Sequence, residues 1–231
     1  MANSNHPAPN IANVPLFHGM DAESLSRIAQ AMKLRTFRAG EAIFHREDPG
    51  QVMYVIHKGR VRIRITGSDG QEVALAILGP AESFGEMSIL DNNPRSADVI
   101  AIDNVEVFTL QRDDFIQLIK TWPEISIEMM KILSARMRAA NQMVEDLIFL
   151  DVFARVAKKL VELSEEHGEL EADGATRINI RLTQQELASM IGASRESVNK
   201  VMGYFTDKNY ISADKHKITI HKIAELRKRI Y

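Results

Sequence analysis

Residues 183–207, with the sequence T-Q-Q-E-L-A-S-M-I-G-A-S-R-E-S-V-N-K-V-M-G-Y-F-T-D, predict two short helices joined by a glycine turn. Thr183 and Glu186 form a capping-box pattern, in which the two side chains satisfy free backbone N–H groups at the start of a helix. Gly192 lies where the chain must turn tightly, and Ser194 is placed to cap the second helix. The segment therefore predicts a helix-turn-helix.

The second helix of this segment has one apolar and one polar face. Its buried side is predicted to carry Val198, Val201, Met202 and Phe205. The opposite face carries, near the helix N-terminus, Arg195, Glu196, Asn199 and Lys200. Arginine and lysine suit guanine, glutamate accepts from cytosine, and asparagine suits adenine or a phosphate, so these side chains are candidate base readers in the DNA major groove. The alternative is that they form ordinary surface pairs, four residues apart on one helix.

The distribution of charge favours the DNA-binding interpretation. The 231 residues carry 29 Lys and Arg against 31 Asp and Glu, so bulk charge does not hold the whole chain on nucleic acid. Residues 177–231, however, carry eleven basic and five acidic side chains, a net charge of +6. A hairpin over residues 210–220 places Lys215, His216 and Lys217 where they can lie along phosphate. Together these features predict a winged helix-turn-helix that binds double-stranded DNA.

The N-terminal half of the chain predicts strands. Residues 60–65 alternate apolar and charged side chains strictly, and Gly67-Ser68-Asp69-Gly70 turns this strand into a second one over residues 71–78. Further short apolar runs, separated by Gly, Pro, Asn and Asp clusters, occupy residues 41–44, 52–57, 97–101 and 105–110. Such spacing favours a small antiparallel barrel or jelly-roll.

Residues 124–150 predict one long helix. Its apolar positions recur every three or four residues, and only Arg136 interrupts the stripe Ile125, Met129, Ile132, Arg136, Ala139, Met143, Leu147 and Leu150. A helix of this length beside a small sheet cannot cover the whole stripe within one chain, so we expect a parallel coiled-coil partner and a homodimer. The alternative is a helix packed wholly on its own domain.

The expected fold class is α+β, in four parts. These are a flexible tail (1–15), a barrel (16–121), a dimerisation helix with a hinge (122–151) and a winged helix-turn-helix (152–231). Asp21 is placed to cap a short helix at the start of the barrel part. The acidic stretch 162–173 is expected to be a solvated loop.

A loop between two predicted strands carries an anion-binding pattern. It has the sequence F-G-E-M-S-I-L-D-N-N-P-R-S-A-D-V over residues 84–99. Gly85 lets the backbone approach a ligand, Glu86 can accept a hydrogen bond from a sugar hydroxyl, and Arg95 can hold phosphate oxygens in a bidentate fork. The alternative is a structural salt bridge between Glu86 and Arg95.

This loop closely resembles the phosphate-binding cassette of cyclic-nucleotide-binding domains. Nearly the whole chain is similar to the catabolite activator (cyclic-AMP receptor protein) family of bacterial transcription regulators, within the CRP/FNR superfamily. Further segments carry the resemblance: G-E-A-I-F at 40–44, Y-V-I and G-R-V within 54–61, F-L-D-V at 149–152 and G-A-S-R-E-S-V at 192–198. The resemblance implies that the barrel is a cyclic-nucleotide-binding β-roll.

The resemblance also implies roles for single residues. The cassette residues expected to contact the ribose and the cyclic phosphate are Gly85, Glu86, Arg95 and Ser96. The family reads the purine from the long dimer helix, typically with a threonine and a neighbouring serine or asparagine, and the matching positions are Ala140 and Asn141. Ala140 departs from the pattern because it has no hydroxyl. Cyclic AMP is the expected allosteric effector, and cyclic GMP, another nucleotide or no ligand stay open.

On DNA, the resemblance implies recognition of palindromes with TGTGA-like half-sites, about 34 Å apart on one face of the duplex. Arg195, Glu196 and Lys200 match the base-reading positions. Lys200 stands where enteric members have arginine and gives up the planar guanidinium fork. The other expected DNA contacts are Asn199, Ser194, Thr183 and Gln185. RNA polymerase is a further expected partner.

The amino-acid composition argues against several other classes of function. The chain has no cysteine, which excludes disulfides, thiolate zinc sites, iron–sulfur ligation and a cysteine nucleophile, and no metal or haem is expected. His45 and His57 are twelve residues apart and form no metal-ligand pattern, so we do not expect an enzyme. No apolar run is long enough for a membrane span, and a cytoplasmic location is expected. A constitutive DNA-binding dimer with a vestigial pocket stays open because of Ala140.

Overall fold

The computed structural model describes residues 11–68, 70–180, 182–214 and 217–230, and the chain divides into two compact units. The first unit comprises the residues up to Ile65 together with Leu75–Arg138. The second comprises Thr66–Ala74 together with Ala139–Tyr231. Among the described residues, no helix has the length and apolar character that crossing a membrane requires.

The described residues before the long helix form eight strands in two sheets. The strands are β1 (Lys33–Phe37), β2 (Ala42–Phe44), β3 (Val52–Lys58), β4 (Val61–Thr66), β5 (Glu72–Leu78), β6 (Ser83–Phe84), β7 (Asp98–Ala101) and β8 (Val105–Gln111). Each sheet has four strands, with the orders β1-β8-β3-β6 and β2-β7-β4-β5. One apolar core receives side chains from every one of these strands. The predicted jelly-roll and its β4–β5 hairpin are therefore confirmed.

Helices cover the other face of the first sheet. They are the 3-10 helix Pro15–Phe17 and the α-helices α1 (Ala22–Ala31), α2 (Glu86–Asp91), α3 (Arg112–Thr121) and α4 (Glu124–Phe149). In β3, Tyr54 and Ile56 face the core between the sheets, whereas Met53 and Val55 face a second core that contains helical residues. Because both faces of β3 are buried, its sequence is a continuous apolar run rather than an alternating one.

The start of the chain and the cassette differ from the expectation. Ile11 and Val14 are buried in the helical core, so the expected tail over residues 1–15 is too long; residues 1–10 lie outside the described residues. Burial of the apolar side chains of Ile11 and Val14 is favourable because it removes them from water. Glu86 was expected in a loop, but it is the first residue of α2. The predicted cap of α1 is confirmed, since Asp21 accepts a hydrogen bond from the Ser24 N–H at 2.8 Å.

Helix α4 has two apolar stripes, and the first part of the predicted one faces the chain's own core. Ile125 and Met129 are buried there, and Ile132 packs against them. Leu147 of the predicted stripe is exposed, and so are further large apolar side chains of α4: Ile127, Met130, Met137, Val144, Ile148 and Phe149. Met130, Met137 and Val144 are spaced by seven residues, which is the repeat of a coiled-coil seam. The surface available to a partner is therefore this second stripe.

The second unit contains the remaining elements. They are α5 (Val152–His167), β9 (Gly168–Leu170), β10 (Thr176–Ile178), α6 (Gln184–Ile191), α7 (Arg195–Asp207), β11 (Ile211–Asp214), β12 (Lys217–Ile220) and α8 (Ile223–Arg227). Their strands form one sheet, β11-β12-β10-β9. The prediction of a solvated loop over residues 162–173 is wrong in part. The last residues of α5 and all of β9 occupy most of this stretch, because glutamate is a good helix former.

Helices α6 and α7 confirm the predicted helix-turn-helix. Thr183 Oγ1 accepts from the Glu186 N–H at 3.1 Å, and Glu186 Oε2 accepts from the Thr183 N–H at 2.7 Å, which completes the capping box. Gly192 has the left-handed φ of 61° that a glycine adopts without strain. Ser194 Oγ accepts from the Ser197 N–H at 3.1 Å and caps α7. The β11–β12 hairpin follows; Lys215 and His216, expected at its turn, lie outside the described residues, as does Arg181.

Candidate functional site

The cassette is built where β6 ends and α2 begins. Gly85 has a φ of 82° and is the N-cap of α2. A Cβ atom at this position would lie 2.8 Å from Arg95 Nη1 and 3.1 Å from the Val52 carbonyl oxygen. Only glycine therefore allows the close approach between β3, the start of α2 and the arginine side chain.

Arg95 is buried without a carboxylate partner. It is 4% exposed, and its Nη1 and Nη2 donate to the carbonyl oxygens of Gly85 and Val52 at 2.8 and 2.7 Å. Its Nε has no hydrogen-bond partner, and no carboxylate of the described residues forms an ion pair with it. Burial lowers the pKa of Arg95 below its usual value, whereas the nearby Tyr54 and Glu86 act in the opposite direction. A buried cation without a carboxylate partner suits an anionic ligand.

Glu86 pairs with Arg136 of α4 rather than with Arg95. Its side chain is almost fully buried, and Oε1 accepts from Arg136 Nη1 at 2.7 Å. Arg136 Nη2 also donates to the Ser83 carbonyl oxygen. Glu86 Oε2 is buried and has no hydrogen-bond partner. The Glu86–Arg95 salt bridge considered from the sequence is therefore not formed, and one carboxylate oxygen is left for a donor such as a hydroxyl.

Arg136 is the residue of this site that the sequence analysis missed. Its position was read only as an interruption of the apolar stripe on α4. The sequence did contain an indication, since Arg136 is the one cation on a side of α4 that is expected to face the core. A cation that is removed from water requires a partner. The partner lies fifty residues earlier in the chain, so spacing alone does not identify it.

Ser96 of the cassette and the two positions that are expected to read the purine are more exposed. Ser96 lies next to Arg95 and is exposed, with its Oγ 3.7 Å from Met87 Sδ. Ala140 and Asn141 are exposed on the part of α4 that belongs to the second unit. The structure thus gathers Gly85, Glu86, Arg95 and Arg136 in the first unit, and it places Ala140 and Asn141, the positions expected to read the purine, in the second.

The candidate DNA surface is the N-terminal half of α7. Arg195, Glu196, Asn199 and Lys200 are all exposed, and Val198, Val201, Met202 and Phe205 are buried, as predicted. Within the described part of the chain, none of the four exposed side chains takes part in a hydrogen bond or ion pair. The alternative of intrahelical surface pairs is therefore not realised. Their polar groups are available to a partner.

Neighbouring contacts hold this surface in place. Arg155 of α5 donates to the carbonyl oxygens of Ile191 and Gly192 at 2.6 and 3.3 Å, which anchors the turn before α7. The Thr183 hydroxyl donates to Glu186 Oε2 at 2.8 Å within the capping box. Gln185 is exposed on the first turn of α6, and Lys217 is exposed at the start of β12. Of the expected DNA contacts, Gln185 and Lys217 are thus accessible, whereas the Thr183 and Ser194 hydroxyls already serve as caps.

The histidines considered for catalysis are not gathered in a site. His45 Nδ1 lies 3.5 Å from Asp98 Oδ1, and the His57 ring packs 5.2 Å from the Phe108 ring. Across the described ranges, no group of three His, Cys, Asp or Glu side chains has the arrangement of a metal site.

Comparison with known families assigns a domain to each of these two sites. The cyclic nucleotide-binding domain model matches residues 34–121, which include both sheets and the cassette. The Crp-like helix-turn-helix domain model matches residues 154–229, which include α6, α7 and the hairpin.

Several relatives match nearly the whole chain. The chain is 35% identical over 219 residues to the CRP-like cAMP-activated global transcriptional regulator of Mycobacterium tuberculosis, covering 95% of this chain and 97% of that protein. It is 32% identical to the cyclic AMP receptor protein of Thermus thermophilus, over 92% and 94% of the two chains. A solved structure of the c-di-GMP responsive global regulator CLP of Xanthomonas campestris matches with a TM-score of 0.78 at 25% identity, over 87% of this chain and 99% of that one.

The Glu86–Arg136 pair predicts unequal effects of removing either partner. Arg136→Met leaves the Glu86 charge buried, and we expect the free energy of unfolding to fall by about 3 kcal/mol. Glu86→Gln leaves Arg136, whose side chain is 29% exposed and able to reach water, so we expect a loss of about 1 kcal/mol. Urea unfolding measures both, with the exposed neighbour Arg138→Met as control. Equal losses for the two variants would contradict this account of the pair.

Proposed function

The chain belongs to the CRP/FNR family of transcription regulators, and we propose that it is a homodimer whose affinity for DNA is switched by a cyclic nucleotide, with cyclic AMP as the first candidate. The observation that carries the proposal is Arg95, a buried guanidinium that has no carboxylate partner among the described residues. Arg95 and Ser96 would bind the cyclic phosphate. Glu86 Oε2 and the backbone at Gly85 would bind the ribose.

Cyclic AMP is favoured over other nucleotides because the descriptions of two relatives name it. The Mycobacterium tuberculosis protein is described as cAMP-activated and the Thermus thermophilus protein as a cyclic AMP receptor. The Xanthomonas campestris regulator of similar fold responds to c-di-GMP, so the ligand differs among proteins of this architecture. Asn141 offers an amide to a purine edge, while Ala140 offers no hydroxyl. A constitutive regulator is the second candidate, and Ala140 is the observation that favours it.

The Glu86–Arg136 pair provides a route from the ligand to α4. A ribose hydroxyl that donates to Glu86 adds a partner to the carboxylate that already holds Arg136. Since Arg136 is on α4, ligand binding would change the contacts of that helix with the cassette. A ligand shifts DNA affinity only to the extent that it binds one arrangement of the protein better than another. We assign this differential contact to Glu86 and Arg136.

The exposed stripe of α4 supports the homodimer. Positions 130, 134, 137, 141, 144 and 148 alternate in steps of four and three residues, and all but two are large apolar side chains. The stripe would pack against the same stripe of a second copy as a parallel coiled coil. Asn141 lies within this stripe, so a base-reading residue would face the partner chain. Each pocket would then receive its purine contact at the dimer interface.

The proposed DNA is a palindrome with TGTGA-like half-sites. Arg195, Glu196 and Lys200 would read base edges from α7, with Asn199 and Ser194 beside them, and the phosphates would be contacted by Thr183, Gln185 and the basic hairpin. Two half-sites about 34 Å apart match a dimer with twofold symmetry. RNA polymerase is the further proposed partner. Regulation of transcription would place the protein in the cytoplasm.

The first test is calorimetric titration with cyclic AMP and with cyclic GMP, followed by binding to the palindrome with and without nucleotide. We expect cyclic AMP to bind and to tighten DNA binding. Arg95→Ala should weaken nucleotide binding by at least about tenfold, because a charge-assisted hydrogen bond is lost, and leave ligand-free DNA affinity nearly unchanged. The control is Arg35→Ala, which removes an exposed arginine. Firm DNA binding without heat from either nucleotide would favour the constitutive candidate instead.

Glu196→Ala tests base reading by α7. We expect it to relax discrimination at one base pair of the half-site by about 1–3 kcal/mol and to leave the other positions unchanged. Fluorescence anisotropy with half-sites that each carry one substituted base pair measures this profile. Lys217→Ala, a proposed phosphate contact, should instead weaken all sequences alike and reduce the salt dependence. An unaltered specificity profile for Glu196→Ala would rule out its assigned role.

Met137→Glu tests the dimer seam. A carboxylate in the centre of the stripe faces its copy across the interface, so we expect the dimer to weaken by at least about tenfold. Sedimentation velocity over a range of concentrations measures the dissociation constant. The matched control is Ala135→Glu, an exposed position on the opposite side of α4. If both variants sediment like the unmodified protein, the exposed stripe is not the dimer interface.

A further inference from the structure

Strand β2 contains an irregularity beside the cassette. Ala42 pairs with Ile100 of β7, but Phe44 pairs with Val99, so two steps along β2 correspond to one step along β7. This is the pattern of a β-bulge, which re-aims side chains and is common next to functional sites. Neighbouring residues of a regular strand face opposite sides of a sheet. Here Ile43 and Phe44 both pack against the core between the two sheets.

The re-aimed ring of Phe44 contacts the guanidinium of Arg95. The Arg95 Cζ atom lies 4.2 Å from the centre of the ring, and the Tyr54 ring is more distant at 5.8 Å. The Phe44 ring is itself braced by Tyr54 and Phe84, whose centroids lie 5.7 and 6.0 Å away. Tyr54 and Phe84 stack on each other at 4.9 Å with an interplanar angle of 6°. Three packed rings thus fix the position of the surface beneath the arginine.

Face and edge of the Arg95 guanidinium have different partners. The aromatic ring occupies the face, and the Gly85 and Val52 carbonyl oxygens take one N–H from each terminal nitrogen. The Nε–H has no hydrogen-bond partner, and all N–H groups of a guanidinium lie in its plane rather than toward the ring. The backbone on the Nε side is also close, because a Cβ atom at Gly50 would lie 2.9 Å from Nε. Contact with the ring therefore does not compete with binding of phosphate oxygens.

We infer that Phe44 is a positioning residue for anion binding: the bulge in β2 holds its ring against Arg95 and thereby keeps the guanidinium edge directed at the phosphate of the ligand. This inference rests on the proposed binding of a cyclic nucleotide. The cation–π attraction is largest where water is excluded, as it is around Arg95. Without the ring, the guanidinium keeps its two carbonyl partners but loses the contact that fixes its plane.

The test compares Phe44→Leu, which removes the aromatic face, with Phe44→Tyr, which keeps it. Affinities for cyclic AMP and for adenosine, which lacks the phosphate, are measured by competition with a fluorescent cyclic nucleotide. We expect Phe44→Leu to weaken cyclic AMP binding by about 3- to 30-fold with little change for adenosine, and Phe44→Tyr to restore it. A merely structural role would weaken both ligands alike and leave their ratio unchanged.

The matched control is Phe37→Leu. Phe37 is buried in the same core and also has an arginine over its ring, Arg35 at 5.1 Å, but it does not contact Arg95. We expect Phe37→Leu to lower stability and to leave the ratio of the two affinities unchanged. If Phe44→Leu leaves that ratio unchanged as well, or if Phe37→Leu alters it equally, the inference is overturned.

A second measurement separates this inference from the proposed function. A double-mutant cycle with Phe44→Leu and Arg95→Met, measured by urea unfolding of the ligand-free protein, requires no nucleotide. We expect the unfolding equilibrium constants to depart from additivity by about 3- to 30-fold, which supports contact between ring and guanidinium. Additive effects would overturn the inference even if cyclic AMP binds. If the unmodified protein binds neither cyclic AMP nor cyclic GMP, the nucleotide proposal fails while the cycle still decides whether the ring holds Arg95.

Discussion

The burial of the Arg95 guanidinium is the constraint on which the first unit depends. Removing a cation from water is costly, and it is tolerated only where other groups replace the lost hydration. Here the replacement comes from separate parts of the chain. The groups are the carbonyl oxygen of Val52 at the start of β3, the carbonyl oxygen of Gly85 and the ring of Phe44. The left-handed backbone of Gly85 and the bulge in β2 are the local irregularities that bring them together.

Helix α4 has contacts in both units. Ile125 and Met129 attach its first turns to the helical core, and Arg136 attaches the next turns to Glu86. Its last turns belong to the second unit, where Asp146 accepts from Lys158 of α5 at 2.6 and 2.7 Å. The same helix therefore has an ionic contact with the cassette in the first unit and another with α5 in the second. A ligand that alters the first contact acts on an element that also carries the second.

How much the sequence predicted depended on the range of the interactions. The helix-turn-helix was predicted correctly because its signals are local: Thr183 and Ser194 cap helices within three residues, and Gly192 marks the turn. The pairing of Glu86 with Arg136 joins residues that spacing cannot relate, so it was not predicted. The sequence did not show which apolar side of α4 is covered, because a period of 3.6 residues is satisfied by both stripes and only packing decides between them. The anion-binding pattern was recognised, and of its two interpretations the Glu86–Arg95 salt bridge is not formed, because Glu86 pairs with Arg136.

The energetics of the cassette bear on the choice between a ligand-switched and a constitutive regulator. A pocket without a ligand gains nothing from a buried cation, because apolar side chains of similar volume are often as stabilising as buried charges or more so. This chain nevertheless buries Arg95 without a carboxylate partner among the described residues, and it buries Glu86 with an unpartnered Oε2. Both groups are satisfied if an anion and a hydroxyl occupy the site. A cyclic nucleotide supplies that pair of groups on one molecule, whereas the missing hydroxyl at Ala140 affects only the purine end. The cost of leaving these two groups unpaired therefore favours a ligand in this pocket over a vestigial site.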